Sequence, residues 1–187
     1  MGYAISWVAM KGEVSERLLE SLSLEPTSER AYPAEAIFTG HTMSTGWFVL
    51  VINRCNHDFV RPKSLERLSE LGEVIACSVE EHVMWSSAEL WRGGAQIWNI
   101  QHDAQKGMLD LDASGFIPEA YSPIRNEYSE RQEQEGGVEA EVDYIFDIPL
   151  LVAKSIVGFK HDEARTDDEM FLVYRATELR KPRWRFW

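Results

Sequence analysis

The chain has 187 residues, a length that fits one domain with a sizeable core. Hydrophobic residues make up 44% and charged residues 27%, with only 12 glycines and 7 prolines, which excludes a disordered or collagen-like chain. Acidic residues outnumber basic ones 31 to 19, a net charge of −12, and a nucleic-acid binder needs the opposite sign to neutralise phosphates.

The opening residues, MGYAISWVAMKGE, carry no basic stretch ahead of their apolar run, so no signal peptide is expected. The longest apolar run, Trp47–Ile52, is far shorter than the roughly 20 residues of a membrane span. Two cysteines, Cys55 and Cys77, do not make a disulfide framework; reduced thiols in a cytoplasmic protein are expected.

Residues 3–10, YAISWVAM, read as an apolar strand covered on both faces. A short helix follows, with Ser15 as its cap and Leu18, Leu19 and Leu22 on one stripe. Residues 25–45, with Pro26, Pro33 and Gly40, read as a long connection with little regular structure. Residues 46–53, GWFVLVIN, form the strongest strand, and RPKSLERLSELG a helix with Pro62 in its first turn and Gly72 at its left-handed end. EVIACSV, 73–79, is a further strand.

Residues 82–102 read as a hairpin around Gly93 and Gly94. Burial argues for a register in which paired residue numbers sum to 186 or 188, because only an even sum gathers Met84, Ala88, Leu90, Trp98 and Ile100 on one apolar face. That register requires a three-residue loop or a bulge at the glycines and excludes pairing of Arg92 with Ala95. The opposite face then carries Trp85, Glu89, Trp91, Ile97, Asn99 and Gln101. A short strand within 108–115, helices from Pro123 to about Glu135 and over about 148–157, and a strand over 170–177 complete the chain. The expected fold is α+β: a mixed or mainly antiparallel sheet with this hairpin at its centre and helices packed mostly on one face. One domain over 1–187 is expected, with an aromatic and basic tail at 180–187.

Five features could carry function. Glu80, His82 and His102 fall on one face of the hairpin in the even register, beside Glu81 and Asp103. Two imidazoles and a carboxylate could hold a divalent cation and activate water; polar strand ends meeting solvent are the plainer account. Cys55 and His57 supply a thiol and an imidazole within one loop, although loop neighbours seldom orient on one another. Seven tryptophans are many for this length, and Trp85 and Trp91 beside Glu89 have the composition of a binding surface unless a helix covers them. From Glu127 to Asp147 eight carboxylates face one basic residue there, Arg131, which suits a basic partner. The tail RKPRWRFW, with Trp184 and Trp187, could dock on the acidic body or join two copies. The P-loop, dinucleotide, nucleophile-elbow and zincin patterns are absent from the sequence.

The segments VEEHVMWSSAELWRGGAQIWNIQHD and VDYIFDIPLLVAKSIVGFKHDE resemble those of small acidic bacterial proteins of unassigned function; the likeness implies no activity and no site residues. The expectation drawn from the residues is a non-enzymatic protein that binds a basic protein, as a toxin-neutralising (immunity-like) or regulatory partner. It uses no cofactor, binds neither nucleic acid nor membrane, and has a tail able to join two copies. The alternative is a small metal-dependent hydrolase built on His82, His102 and a nearby carboxylate.

Overall fold

Every side chain of Trp47–Ile52 is buried, and so are those from Ile5 to Met10. Strands buried on both faces must sit in the middle of a sheet with cover above and below, and this requirement sets the architecture. The computed structural model describes residues 2–163 and 170–177. Strands β1 (Ala4–Lys11), β2 (Leu24–Ala31), β3 (Phe38–Thr42), β4 (Trp47–Ile52), β5 (Val74–Glu80), β6 (Trp85–Arg92), β7 (Ala95–Asp103), β8 (Asp112–Gly115) and β9 (Phe171–Ala176) form one nine-stranded sheet. Its order is β2-β9-β3-β4-β1-β5-β6-β7-β8, and all its pairings are antiparallel. The fold is α+β, with the β6–β7 hairpin inside the β5–β8 meander.

Alternation along the strands feeds two cores. Ile5, Trp7 and Ala9 enter one with Val49, Val51, Ile75, Cys77, Trp98 and Ile100; Val8 and Met10 enter the other with Phe48, Leu50, Val74 and Ala76. The helices divide between them. Helices α1 (Ser15–Ser21) and α2 (Pro62–Ser69) cover the second core with Leu18, Leu65 and Leu68. Helix α4 (Asp147–Val157) covers the first with Leu150, Val152 and Ala153, and α3 (Tyr121–Gln134) joins it through Tyr121 and Ile124. Helices therefore lie on both faces rather than mostly on one, because two-sided strands need cover on both.

The hairpin follows the even register over most of its length. Trp85–Asp103, Ser86–His102, Ala88–Ile100 and Leu90–Trp98 are paired. The register then shifts, so that Trp91 pairs with Gln96 and Arg92 with Ala95, the pair expected to be absent. A two-residue turn at Gly93 and Gly94, with φ of 56° and 79°, closes the hairpin, and a bulge at Ile97 restores the apolar face below it. Burial thus fixes the register of the body, and the glycines fix the tip.

Residues 25–45 are not a long connection, since they hold β2 and β3. Pro26 is tolerated because β2 is an edge strand with an irregular pairing to β9. In β3, Gly40 is required by packing: a Cβ there would lie 2.6 Å from Cζ of Phe48 and 2.8 Å from Cε2 of Tyr174. Three smaller expectations also change. Gly72 does not adopt a left-handed conformation, Ser15 is the first residue of α1 and donates to the Gly12 carbonyl instead of capping the helix, and α3 starts at Tyr121 rather than Pro123. Gly158, with φ of 85°, does end α4 in that conformation.

Gln132 is the only fully buried side chain of α3. Its amide donates to the carbonyls of Gly137 and Val142 and accepts from the Tyr144 amide, which pins the loop between α3 and α4.

Replacing Gly40 with alanine is expected to cost about 1–3 kcal/mol through overpacking against the two rings. Urea unfolding of Gly40→Ala and wild type measures this, with the midpoint moving to lower urea.

Candidate functional site

Sheet alternation places Ser78, Trp85, Ser87, Glu89, Asn99 and Gln101 on the face that α2 covers only in part. Where the face is apolar, at Val74 and Trp91, Leu65 and Leu68 lie against it. Where it turns polar, the sheet floors a groove of about 480 Å³ walled by Asn56, Val60, Arg61 and Pro62.

Glu89 is the groove's distinctive group. Trp91 Nε1 and Gln96 Nε2 each donate to its Oε2 at 2.6 Å, and Oε1 accepts no hydrogen bond among the described residues. No cation pairs with this carboxylate among the described residues. Burial raises its pKa above the ordinary glutamate value, and the two donated hydrogen bonds only partly offset this. Arg61 on the wall is held by Asp58 at 2.9 Å. Trp85 is half-buried and lines the groove. Trp91, expected to project as a contact residue, is buried in the core beneath α2 and instead positions Glu89. Trp184 and Trp187, with the rest of the 180–187 tail, lie outside the described residues.

The histidines and carboxylates of the hairpin are not brought together. His82 sits in the turn between β5 and β6, exposed, with Nδ1 2.7 Å from Glu80 Oε1. His102 is fully buried on the other side: Nδ1 lies 2.6 Å from the Asp110 carbonyl and Nε2 2.8 Å from Asp143 Oδ2. Both partners only accept, so both ring nitrogens carry protons and neither can ligate a metal. His82 fails to reach the β6 face because the strand begins only at Trp85. Asp103 accepts from the Gln105 amide. Among the described residues, no group of three or more His, Cys, Asp or Glu side chains is placed to hold a metal ion.

Burial opposes the charge on His102, but the bonds to Asp143 and the Asp110 carbonyl outweigh it and raise its pKa above the usual histidine value. Asp143 also accepts from the Phe146 amide at 3.0 Å, so the pair clamps β7 to the entry of α4.

No hydrogen bond joins Cys55 to His57 among the described residues. Burial, with the charge of Glu80, pushes the Cys55 thiol up to about 11, so it is protonated at neutral pH. His57 Nδ1 accepts from the Phe59 amide, its ring lies edge-on to Phe38 and Phe59, and burial lowers its pKa. Cys77 is buried in the core.

The acidic segment lies across the sheet from the groove, because α3 packs on the opposite core. Glu127 pairs with Arg131, Asp143 with His102 and Asp147 with Lys160. Glu130, Glu133, Glu135, Glu139 and Glu141 are exposed and make no ion pair among the described residues. Sequence reading missed Arg61 as a wall residue; nothing local in the sequence marks it.

Comparison with protein-family models, with curated proteins and with solved structures finds no match to this chain. Among the described residues, no helix is long and apolar enough to cross a membrane.

Two outcomes are expected. His102 has a raised folded-state pKa, so its contribution to stability is fully present below about pH 6.5, its unfolded value, and is lost as pH rises through the folded value. Asp143→Asn should cost about 3 kcal/mol at pH 6, by breaking a buried pair, and progressively less toward pH 9; melting both proteins across that range checks it. Cys55 should react with iodoacetamide at pH 8 at least ~10-fold more slowly than free cysteine, with the rate climbing toward pH 11. Mass spectrometry of quenched samples follows this directly.

Proposed function

We propose that this chain is a non-enzymatic, cytosolic binding protein whose groove takes a cationic side chain of a basic protein partner. The observation that carries the reading is Glu89, a partly desolvated carboxylate without a counter-ion among the described residues. A half-buried anion of this kind is costly by itself and gains most from a cation that completes its coordination. An arginine or lysine entering the groove would meet Glu89 and could lie against Trp85, where charge and ring attract each other. Ser87, Asn99 and Gln101 supply hydrogen-bonding groups around it. The exposed glutamates of the α3 region and the net charge of −12 favour encounter with such a partner. A toxin-neutralising or regulatory role is the form of binding that suits these features. The metal-dependent alternative loses its support with the separation of His82 from His102.

Titration with arginine- and lysine-rich peptides at low and high salt, read by Trp fluorescence and calorimetry, tests the proposal. Binding should weaken with salt and fall at least ~10-fold in Glu89→Gln, a loss of about 1.4 kcal/mol or more. Trp85→Ala should weaken it less. Equal binding by Glu89→Gln and wild type would remove the groove from the proposal.

A further inference from the structure

On the groove face of β6 and β7 the alternate residues turn polar: Ser87 and Glu89 on one strand, Asn99 and Gln101 on the other. Register sets them as two cross-strand pairs, Glu89 opposite Asn99 and Ser87 opposite Gln101. Side chains paired in this way start about 4.5–5.5 Å apart at Cβ. The floor of the groove is therefore a small lattice of oxygen acceptors, with one carboxylate among neutral groups.

Glu89 offers a ligand only one oxygen. Trp91 Nε1 and Gln96 Nε2 both donate to Oε2 at 2.6 Å, which occupies both of its lone pairs. Oε1 is left open. A guanidinium cannot grip this carboxylate through both oxygens, as a fork-to-fork pair would. Its second N–H needs another acceptor, and the side chain directly opposite is Asn99. The side chain of Asn99 makes no hydrogen bond among the described residues, and neither do those of Ser87 and Gln101. Each has an oxygen able to face an incoming donor.

Arginine and lysine would use such a floor differently. A guanidinium carries five N–H donors in one plane and is weakly hydrated, whereas an ammonium concentrates its charge on one strongly hydrated nitrogen with three donors. In a partly buried groove with one open carboxylate oxygen and neutral acceptors spread over two strands, spread donors find partners that a point donor leaves unmet. Arg61 on the wall does not take this role, since it is exposed and held by Asp58 at 2.9 Å. Building on the reading of the groove as a cation site, we propose that Asn99 sets its specificity: Glu89 Oε1 and Asn99 Oδ1 accept two N–H groups of one guanidinium, so the groove selects arginine over lysine in its partner.

The test uses the full chain and two peptides that differ only in carrying arginine or lysine at every basic position, with methylguanidine and methylamine as minimal probes. Calorimetry reads affinity, and nitrogen–proton NMR of the side-chain amides reads Asn99 directly. The arginine peptide should bind at least ~10-fold more tightly than the lysine peptide, and methylguanidine should shift the Asn99 amide more than methylamine does. Asn99→Ala, a half-buried position without internal hydrogen bonds, should weaken the arginine peptide at least ~5-fold and the lysine peptide less than ~2-fold, so that the preference collapses. Asn99→Asp, which keeps an acceptor oxygen in place, should retain arginine binding, and Glu89→Gln should weaken both peptides. Equal affinity for the two peptides, a preference for lysine, or an undiminished arginine preference in Asn99→Ala would overturn the selection while leaving the cation site standing. Failure of both peptides to bind the wild-type chain would remove the cation site and the selection with it.

Discussion

The constraint on which the structure depends is burial of both faces of one antiparallel sheet. β1, β4 and β5 are apolar on successive residues, so each must send alternate side chains into separate cores. Each core needs its own helices, and four short helices are shared between them. Such helices cannot cover nine strands completely. α2 is eight residues long and reaches only part of the β5–β7 surface. Where cover stops, the sequence changes from Val74, Ala76 and Trp91 to Ser78, Ser87, Trp85 and Gln101. The groove is the place where a two-sided sheet runs out of helix, and its polarity is the physical consequence.

Polar groups inside such a frame are satisfied or expensive, and most here are satisfied. Gln132 spends its amide on three backbone groups, Ser6 and Ser78 bond to each other at 3.1 Å, and Ser86 donates to the Phe146 carbonyl at 2.6 Å. His102 is closed by Asp110 and Asp143. Against that background the incomplete groups stand out. Thr39 Oγ1, Asp110 Oδ2 and His161 Nδ1 are buried without a hydrogen-bond partner among the described residues, and Glu89 lacks a cation among them. Of these, Glu89 lines a groove.

The elements that could be read in the sequence were those whose pattern is local. The apolar run of β4, the proline-opened α2 and the glycine-ended α4 need only neighbouring residues to be recognised. The hairpin face could be read because a one-residue slip would have moved Ala88 and Ile100 out of the core. β2 and β3 could not, because their strand character comes from β9, which returns from more than 120 residues later to pair between them. Site chemistry suffered the same limit more severely. Proximity in sequence grouped Glu80, Glu81, His82 and His102, but in space Glu81 serves His161, Glu80 serves His82, and His102 serves Asp143. Glu89 and Trp85 were legible as occupants of one face. The burial of Trp91 was not, since it depends on where α2 ends.

The separation of the acidic α3 region from the groove constrains how charge can act. At physiological ionic strength exposed charges are screened over roughly 8 Å. The unpaired glutamates of α3 and its following loop stand on the opposite side of the sheet from Glu89. They can draw a basic molecule toward the protein, but they cannot contribute much to a contact formed across the sheet. Affinity for a cation in the groove must then come from the partly desolvated Glu89 and the Trp85 ring, where the lower local polarity strengthens the attraction. On the proposed reading, the exterior field would govern the rate of encounter and the groove how long a cationic partner stays.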